Sequence, residues 1–304
     1  MDNSDKPLVS VTVPTLNSER TLVRCLESVR KQSWRFVELL VIDSFSTDAT
    51  RAIAQDYGAQ IVDCPGRLLA ARWLGVQMAL GEFVLLLDTD QVLRDDTIER
   101  AVARAQEGPY DMLVLEEESY DRSWVIPRLY AASKVIINAR FDRDYAFDPV
   151  RGGNPPRFFR RELLMQAFDA IPAELLPATV HYDHDIIYYE AYQLSQKAGL
   201  LRNAVLDIEP DWRKLWRTNV RYGASLRVVQ QSRYWEAFLK RRGSGFQFGK
   251  PLLEGTLALL LHLLLRAAQL AGYHLYGDRA LGPVPAASVV PGNNGSGDPS
   301  TKPD

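Results

Sequence analysis

GEFVLLLDTDQ, residues Gly81–Gln91, is the stretch on which the reading of this chain turns. Five apolar residues, Phe83 to Leu87, run without interruption into Asp88, Thr89 and Asp90. A short unbroken apolar run reads as a strand covered on both faces, as in a parallel sheet between helix layers. Ligands of open α/β sheets sit just past the carboxyl ends of such strands. If strand geometry persists, residues two apart point the same way, so Asp88 and Asp90 converge on one spot. Neighbouring carboxylates repel unless a cation lies between them. Mg²⁺ suits that arrangement, being held by one or two carboxylates plus substrate phosphates. A solvated acidic turn after a strand gives the same letters, so the rest of the chain has to decide.

Working outward, residues 8–13 (LVSVTV) are a β-branched strand ending at Pro14-Thr15-Leu16-Asn17. Residues 36–42 form a second strand ending at Asp43, and 59–62 a short third. Between them lie helical patterns: one capped by Ser18 with Leu22, Cys25, Leu26 and Val29 on one face, one over 48–57, and one over 67–80. This alternation predicts an α/β fold with a mostly parallel sheet and flanking helices. Right-handed crossovers then bring the strand ends to one edge, gathering Thr15, Asn17, Asp43, Asp88 and Asp90. No G-x-G-x-x-G follows the first strand and no G-x-x-x-x-G-K-[ST] is present. Phosphate charge would have to be met by a metal and an arginine, and Arg67, at the start of the third helix, is a candidate.

Three motifs now stand in order: V-x-V-P-T-L-N at 11–17, V-I-D-S-x-S-T-D at 41–48 and L-L-L-D-T-D-Q at 85–91. Together they resemble the family 2 glycosyltransferases of the GT-A fold, over roughly residues 8–210. The resemblance implies a nucleotide-diphosphosugar donor (UDP-sugar or GDP-sugar), Mg²⁺ or Mn²⁺, and inversion at the anomeric carbon. By position, Pro14, Thr15, Asn17 and Asp43 would hold the nucleoside, Arg67 the diphosphate, and Asp88 and Asp90 the ribose and metal. Where many relatives have A-R-N-x-G this chain has Ala71-Arg72-Trp73-Leu74-Gly75, so the asparagine's role is missing or moved.

The second half reads as the acceptor side. A strand is expected over 111–117 and a helix over 128–139. Arg151-Gly152-Gly153-Asn154 and Arg157–Glu162 are similar to the family's glycine-rich turn and R-R-E helix start. His181-Tyr182-Asp183-His184-Asp185 opens a helix over 186–198 that Gly199 ends. An inverting transfer needs a base for the acceptor's proton. The resemblance puts an aspartate at such a helix start, which favours Asp183 over Asp185, although a plain helix cap explains either. His181 and His184 could add a metal ligand, and hydrogen-bonded partners of the acids are the commoner role.

Composition narrows the class. The 304 residues carry a net charge of −2, which argues against nucleic acid as partner. Two cysteines, Cys25 and Cys64, give no disulfide framework, and no apolar leader follows the polar N-terminus, so a cytoplasmic setting is expected. Residues 211–250 hold ten Lys/Arg against two Asp/Glu, interleaved with Trp and Tyr. The run that follows, LLEGTLALLLHLLLRAAQLAGYHLY (252–276), is long enough to span a bilayer, yet His262, Arg266, Gln269 and Tyr273 form one polar helical stripe. An interfacial anchor on an anionic membrane, with the basic segment at the headgroups, is therefore expected, a subunit contact in a homo-oligomer being the other use.

The expected organisation is a catalytic domain over 1–210 (nucleotide-sugar half 8–110, acceptor half 111–210), a helical membrane-associating extension over 211–282, and a disordered tail over 283–304. The expected activity is transfer of a sugar to a glycan or lipid-linked acceptor at the cytoplasmic membrane face. A sugar nucleotidyltransferase and a catalytically silent nucleotide-sugar-binding scaffold are the alternatives.

Overall fold

The computed structural model describes residues 6–142, 146–151, 154–240, 252–276 and 281. The expected tail over 283–304 and the Gly152-Gly153 turn lie outside the described residues. Eight strands form one sheet in the order β3-β2-β1-β4-β7-β6-β8-β5. In chain order these are β1 (Val9–Thr15), β2 (Val37–Asp43), β3 (Gln60–Asp63), β4 (Phe83–Leu86), β5 (Gln91–Leu93), β6 (Met112–Ser119), β7 (Phe158–Arg160) and β8 (Ala198–Asp207). The β1–β2, β1–β4, β2–β3 and β6–β8 pairings are parallel. Those of β7 with β4 and β6, and of β5 with β8, are antiparallel.

Burial explains why the central strands read as unbroken apolar runs. β1 and β4 are buried at every position. Alternate residues feed two cores, because side chains leave a strand on opposite faces. Val84 and Leu86 join a cluster with α3 (Leu68–Met78), α6 (Arg161–Asp169) and α7 (Asp183–Leu194). Phe83 and Leu85 join the other, with α1 (Glu19–Arg30) and α4 (Thr97–Glu107).

Several local expectations need correction. Ser18 makes no side-chain cap on α1. The starts of α1 and α2 (Thr50–Asp56) serve each other instead: Glu19 N–H donates to Asp48 (3.2 Å) and Ala49 N–H to Glu19 (3.0 Å). The expected helix over 186–198 begins three residues earlier and ends at Leu194, and Gly199 lies inside the ten-residue β8. Gly199 is there for packing, since a Cβ would sit 2.7 Å from the Tyr110 ring. The three-residue strands β5 and β7 are too short to leave a periodic signal.

Beyond the sheet, α5 (Val125–Asn138), α8 (Trp212–Gln230) and α9 (Leu252–Ala271, continuing as a π-helical turn to Tyr276) pack together, with Ile126, Leu129, Leu215 and Leu261 at their centre. A Cβ on Gly223 would lie 1.8 Å from the Gln269 carbonyl oxygen, and one on Gly272 1.9 Å from that of Val220. Only glycine lets the α8 and α9 backbones approach so closely.

Candidate active site

The carboxyl ends of β1, β4 and β8 open on one cavity of about 900 Å³. Its floor is the turn after β4. The strand stops at Leu86 and Thr89–Asp90 form a turn, so the strand geometry that would aim Asp88 and Asp90 at one point does not persist. Gln91 holds this turn. Its Oε1 accepts from Asp88 N–H (3.1 Å), and its Nε2 donates to Glu117 and Asp207 (3.1 Å each). Both aspartates line the cavity but take different partners.

Asp88 is met by two guanidinium groups. Arg72 Nη2 donates to its Oδ1 (2.6 Å) and Arg157 Nη1 to its Oδ2 (2.8 Å). Burial alone would raise the Asp88 carboxyl, but the arginines outweigh it and hold the group well below the usual carboxylate range. Arg72 also donates through Nε to Asp183, the first residue of α7, so one buried side chain joins the two acids across the cavity floor. Asp183 is 7% exposed, and Arg72 lowers its carboxyl against the opposing effect of burial. Arg72 Nη1, though buried, has no hydrogen-bond partner among the described residues. Asp185 lies one step further along α7 and also lines the cavity. The residue before α7, Tyr182, holds φ at 67°, a left-handed conformation uncommon outside glycine.

Asp90 has a different environment. Burial raises its carboxyl, Lys214 (3.3 Å) lowers it, and Asp88 and Asp207 raise it further. Among the described residues no three His, Cys, Asp or Glu side chains gather closely enough to hold a metal unaided. The donor chemistry nonetheless fits a hard divalent cation at Asp90, a carboxylate short of positive charge, with further oxygens to come from a bound phosphate group. Asp88 is already occupied by two arginines. His184 Nε2 lies 2.7 Å from Arg157 Nη1 and 3.7 Å from Asp88, its Nδ1 has no hydrogen-bond partner among the described residues, and burial holds its pKa low.

Below the floor, Glu117 accepts from Arg157 Nε (2.8 Å) and Gln91. Burial and the repulsion of Asp207 push its carboxyl up to about 7. Lys134 bridges Asp207 (2.6 Å) and Glu209 (2.7 Å), and those acids keep its ammonium charged despite burial. The walls are basic: Arg20 and Arg24 from α1 face Lys214, Arg217 and Arg221 from α8. Overhead, His181 stacks on Tyr222 at 4.2 Å, and burial lowers its pKa to about 4, so it is neutral at physiological pH.

Of the residues singled out from sequence, Pro14, Asn17, Asp88, Asp90, Asp183 and Asp185 line this cavity. Thr15 and Asp43 lie behind it. Asp43 is fully buried and accepts from Thr15 Oγ1 (2.8 Å), Ser46 N–H (2.9 Å), Ser46 Oγ (2.6 Å) and Arg51 (3.1 Å), fixing the turn that carries Asn17. Asn17, itself at φ 50°, accepts from Thr47 N–H (2.8 Å). Arg67 donates to the Leu281 carbonyl (2.6 Å) and is not in the lining. Trp73 stacks on Phe168 (4.9 Å) in the core. Sequence reasoning missed Arg72 as a site residue. Its signal was present: an arginine inside the apolar helix LLAARWLGVQM must find a buried counter-charge. Arg157 left no comparable sign, and Lys214, Arg217 and Arg221 were read as facing headgroups when they face the cavity.

With this geometry in place, a comparison with known families decides the assignment. The model of the family described as Glycosyl transferase family 2 matches residues 10–166, from β1 to α6. The chain belongs to that family. Glycosyltransferase GlyG of Streptococcus pneumoniae is 29% identical over 123 residues, 38% of this chain and 41% of that protein. The poly(ribitol-phosphate) beta-N-acetylglucosaminyltransferase TarS of Staphylococcus aureus is 28% identical over 181 residues, 56% of this chain and 30% of its own. The chain spans about two fifths of the length of the first curated relatives it matches. Among solved structures, S. aureus TarS 1-349 in complex with UDP-GlcNAc superposes with a TM-score of 0.54 at 18% identity, over 88% of this chain and 89% of that one. Glucosyl-3-phosphoglycerate synthase from Mycobacterium tuberculosis, in complex with Mn²⁺, UDP and phosphoglyceric acid, gives 0.52 at 20% identity, over 78% and 79%. These likenesses establish the GT-A fold.

Proposed function

We propose that the chain is an inverting glycosyltransferase that moves a sugar from a UDP- or GDP-sugar to a glycan or lipid-linked acceptor at the cytoplasmic membrane face. The observation that carries the reading is the Arg72 bridge, which ties the carboxylate after β4 to the carboxylate opening α7 within one cavity. A transfer reaction needs those two functions, donor binding and proton removal, at a fixed separation.

In this proposal the Pro14–Asn17 turn receives the nucleoside, with Thr15 and Asp43 fixing the turn from behind, and Asp88 faces the ribose. The diphosphate role expected of Arg67 passes to Lys214, Arg217 and Arg221, which face the cavity. Asp90 would hold a Mg²⁺ or Mn²⁺ ion, which neutralises charge on the leaving diphosphate when bound. Asp183 accepts the proton of the acceptor hydroxyl. The acceptor oxygen then bonds to the anomeric carbon as the bond from that carbon to the diphosphate oxygen breaks on the opposite face. Arg72 keeps Asp183 ionised at neutral pH, the state a base requires. UDP-GlcNAc in one structural neighbour, and UDP with Mn²⁺ in another, support the choice of donor class.

The test is a comparison of Asp183→Asn with Asp185→Asn. Asp183→Asn should retain donor affinity and lose transfer by about 10²–10⁴-fold, the usual contribution of a general base, while Asp185→Asn is milder. An inactive Asp185→Asn beside an active Asp183→Asn would move the base to Asp185.

A further inference from the structure

The C-terminal part of the α9 polar stripe, Gln269 and Tyr273, faces inward. Gln269 Nε2 donates to Asn219 (3.1 Å) and Tyr273 OH to Gln230 (3.0 Å), both on α8, and Arg227 of α8 donates to the Tyr273 carbonyl. Gly255, Ala258, Leu261, Ala268 and Gly272 form the rest of the buried face. The opposite face is apolar and open. Leu252, Leu260, Leu263 and Leu270 recur at helical spacing along it, and Leu252 is 70% exposed. Two exposed tryptophans, Trp212 and Trp216, lie tilted to each other at 6.2 Å on α8, and a third, Trp124, immediately precedes α5 and lines the cavity.

Charge narrows what covers this face. Lys214, Arg217 and Arg221 of α8 face the cavity and Lys134 of α5 is buried among acids, but Arg128 of α5 and Arg213 and Arg227 of α8 are exposed, and neither helix carries a carboxylate. A protein core or a second copy of the same basic layer would bring like charges together, whereas an anionic lipid surface complements them. Exposed tryptophans beside an apolar face are side chains that settle at a headgroup boundary. Spanning is disfavoured, because α9 is locked by its glycine contacts to α8, whose cations would have to enter the lipid with it.

From this we infer that the α5–α8–α9 layer docks on an anionic bilayer with α9 lying along its surface, so that the acceptor reaching the cavity is lipid-anchored. The inference rests on the transfer reading for its acceptor, but not for its surface.

The experiment is flotation of the full chain with vesicles of phosphatidylcholine, with and without phosphatidylglycerol. The wild-type chain should float with the anionic vesicles. Leu260→Glu/Leu263→Glu, on the open face, should bind about a hundredfold more weakly, the effect of withdrawing two leucines from lipid. That variant should keep its thermal shift with UDP-sugar and lose sugar incorporation into a membrane fraction. Asp183→Asn should float as wild type. Wild-type protein that stays off anionic vesicles would overturn the inference. So would a detergent-free dimer that the double variant converts to monomer, since a second copy would then be what covers the leucines. Flotation by a protein that binds no nucleotide sugar would instead refute the transfer reading and leave the docking surface standing.

Discussion

Replacing Arg72 with methionine gives the sharpest test of the cavity floor. Methionine keeps much of the apolar stem and removes the charge that joins Asp88 to Asp183. Arg72 is 1% exposed, and the side chains of Asp183 and Asp88 are 10% and 26% exposed. Removing one partner of a buried ion pair costs about 3–5 kcal/mol. Asp88 keeps Arg157, so the loss falls mainly on Asp183, and a value near the lower end, ~3 kcal/mol, is expected. The pH dependence carries a distinct signature. Arg72 depresses the folded-state value of both carboxyls, so its contribution is present above the unfolded value of about 3.9 and disappears as pH falls through the folded values. Without Arg72, burial favours a protonated Asp183, which widens the deficit as pH rises towards neutrality. Urea unfolding followed by circular dichroism should therefore show a gap between wild type and variant that is largest near neutral pH and shrinks in acid. Arg72→Met/Asp183→Asn should be more stable than the sum of its parts, since the orphaned charge is gone. A gap under about 1 kcal/mol, or one constant with pH, would refute the reasoning, because a buried cation between two acids must show both the cost and its pH dependence.

Asp90→Ala should abolish the effect of Mn²⁺ on donor binding in a thermal-shift assay with little change in the melting temperature of the unliganded protein; donor binding equally tight with EDTA would remove the metal from Asp90. Gly223→Ala should force α8 and α9 apart at a cost of about 1–3 kcal/mol, as overpacking does, and appear as faster proteolytic loss of α9 with the nucleotide site intact. Lys134→Met leaves Asp207 and Glu209 without their cation and should destabilise the protein by about 3 kcal/mol or more, read by urea midpoint at neutral pH.

The first half of the fold was legible because its central strands, β1 and β4, are covered on both faces and end in polar turns with a job to do. The runs at Val9 and Phe83 are buried throughout, and Asp43 and Asn17 stitch two strand ends together. The short antiparallel strands β5 and β7 were not legible, since three residues carry no period and their pairing is set by distant partners. Gly199 misled because a glycine after a helical pattern reads as a helix stop, whereas this one accommodates a tyrosine ring from another element. In the site, Asp88, Asp90 and Asp183 stood out as carboxylates at element ends. Arg157 and the cavity-facing cations of α8 did not, because whether a basic helix turns to solvent, lipid or an active site depends on its tertiary docking. The inward turn of Gln269 and Tyr273 on α9 was hidden for the same reason.

The central claim is that this cavity binds a nucleoside diphosphate through the Asp90 side and the basic wall of α8. Calorimetric titration of UDP and GDP into the full chain, with Mn²⁺ and then with EDTA, tests it most directly. The account predicts saturable binding of one of the two nucleotides with metal present, lost in EDTA and lost in Asp90→Ala. No binding of either nucleotide under any of these conditions, or binding indifferent to both EDTA and Asp90→Ala, would contradict it.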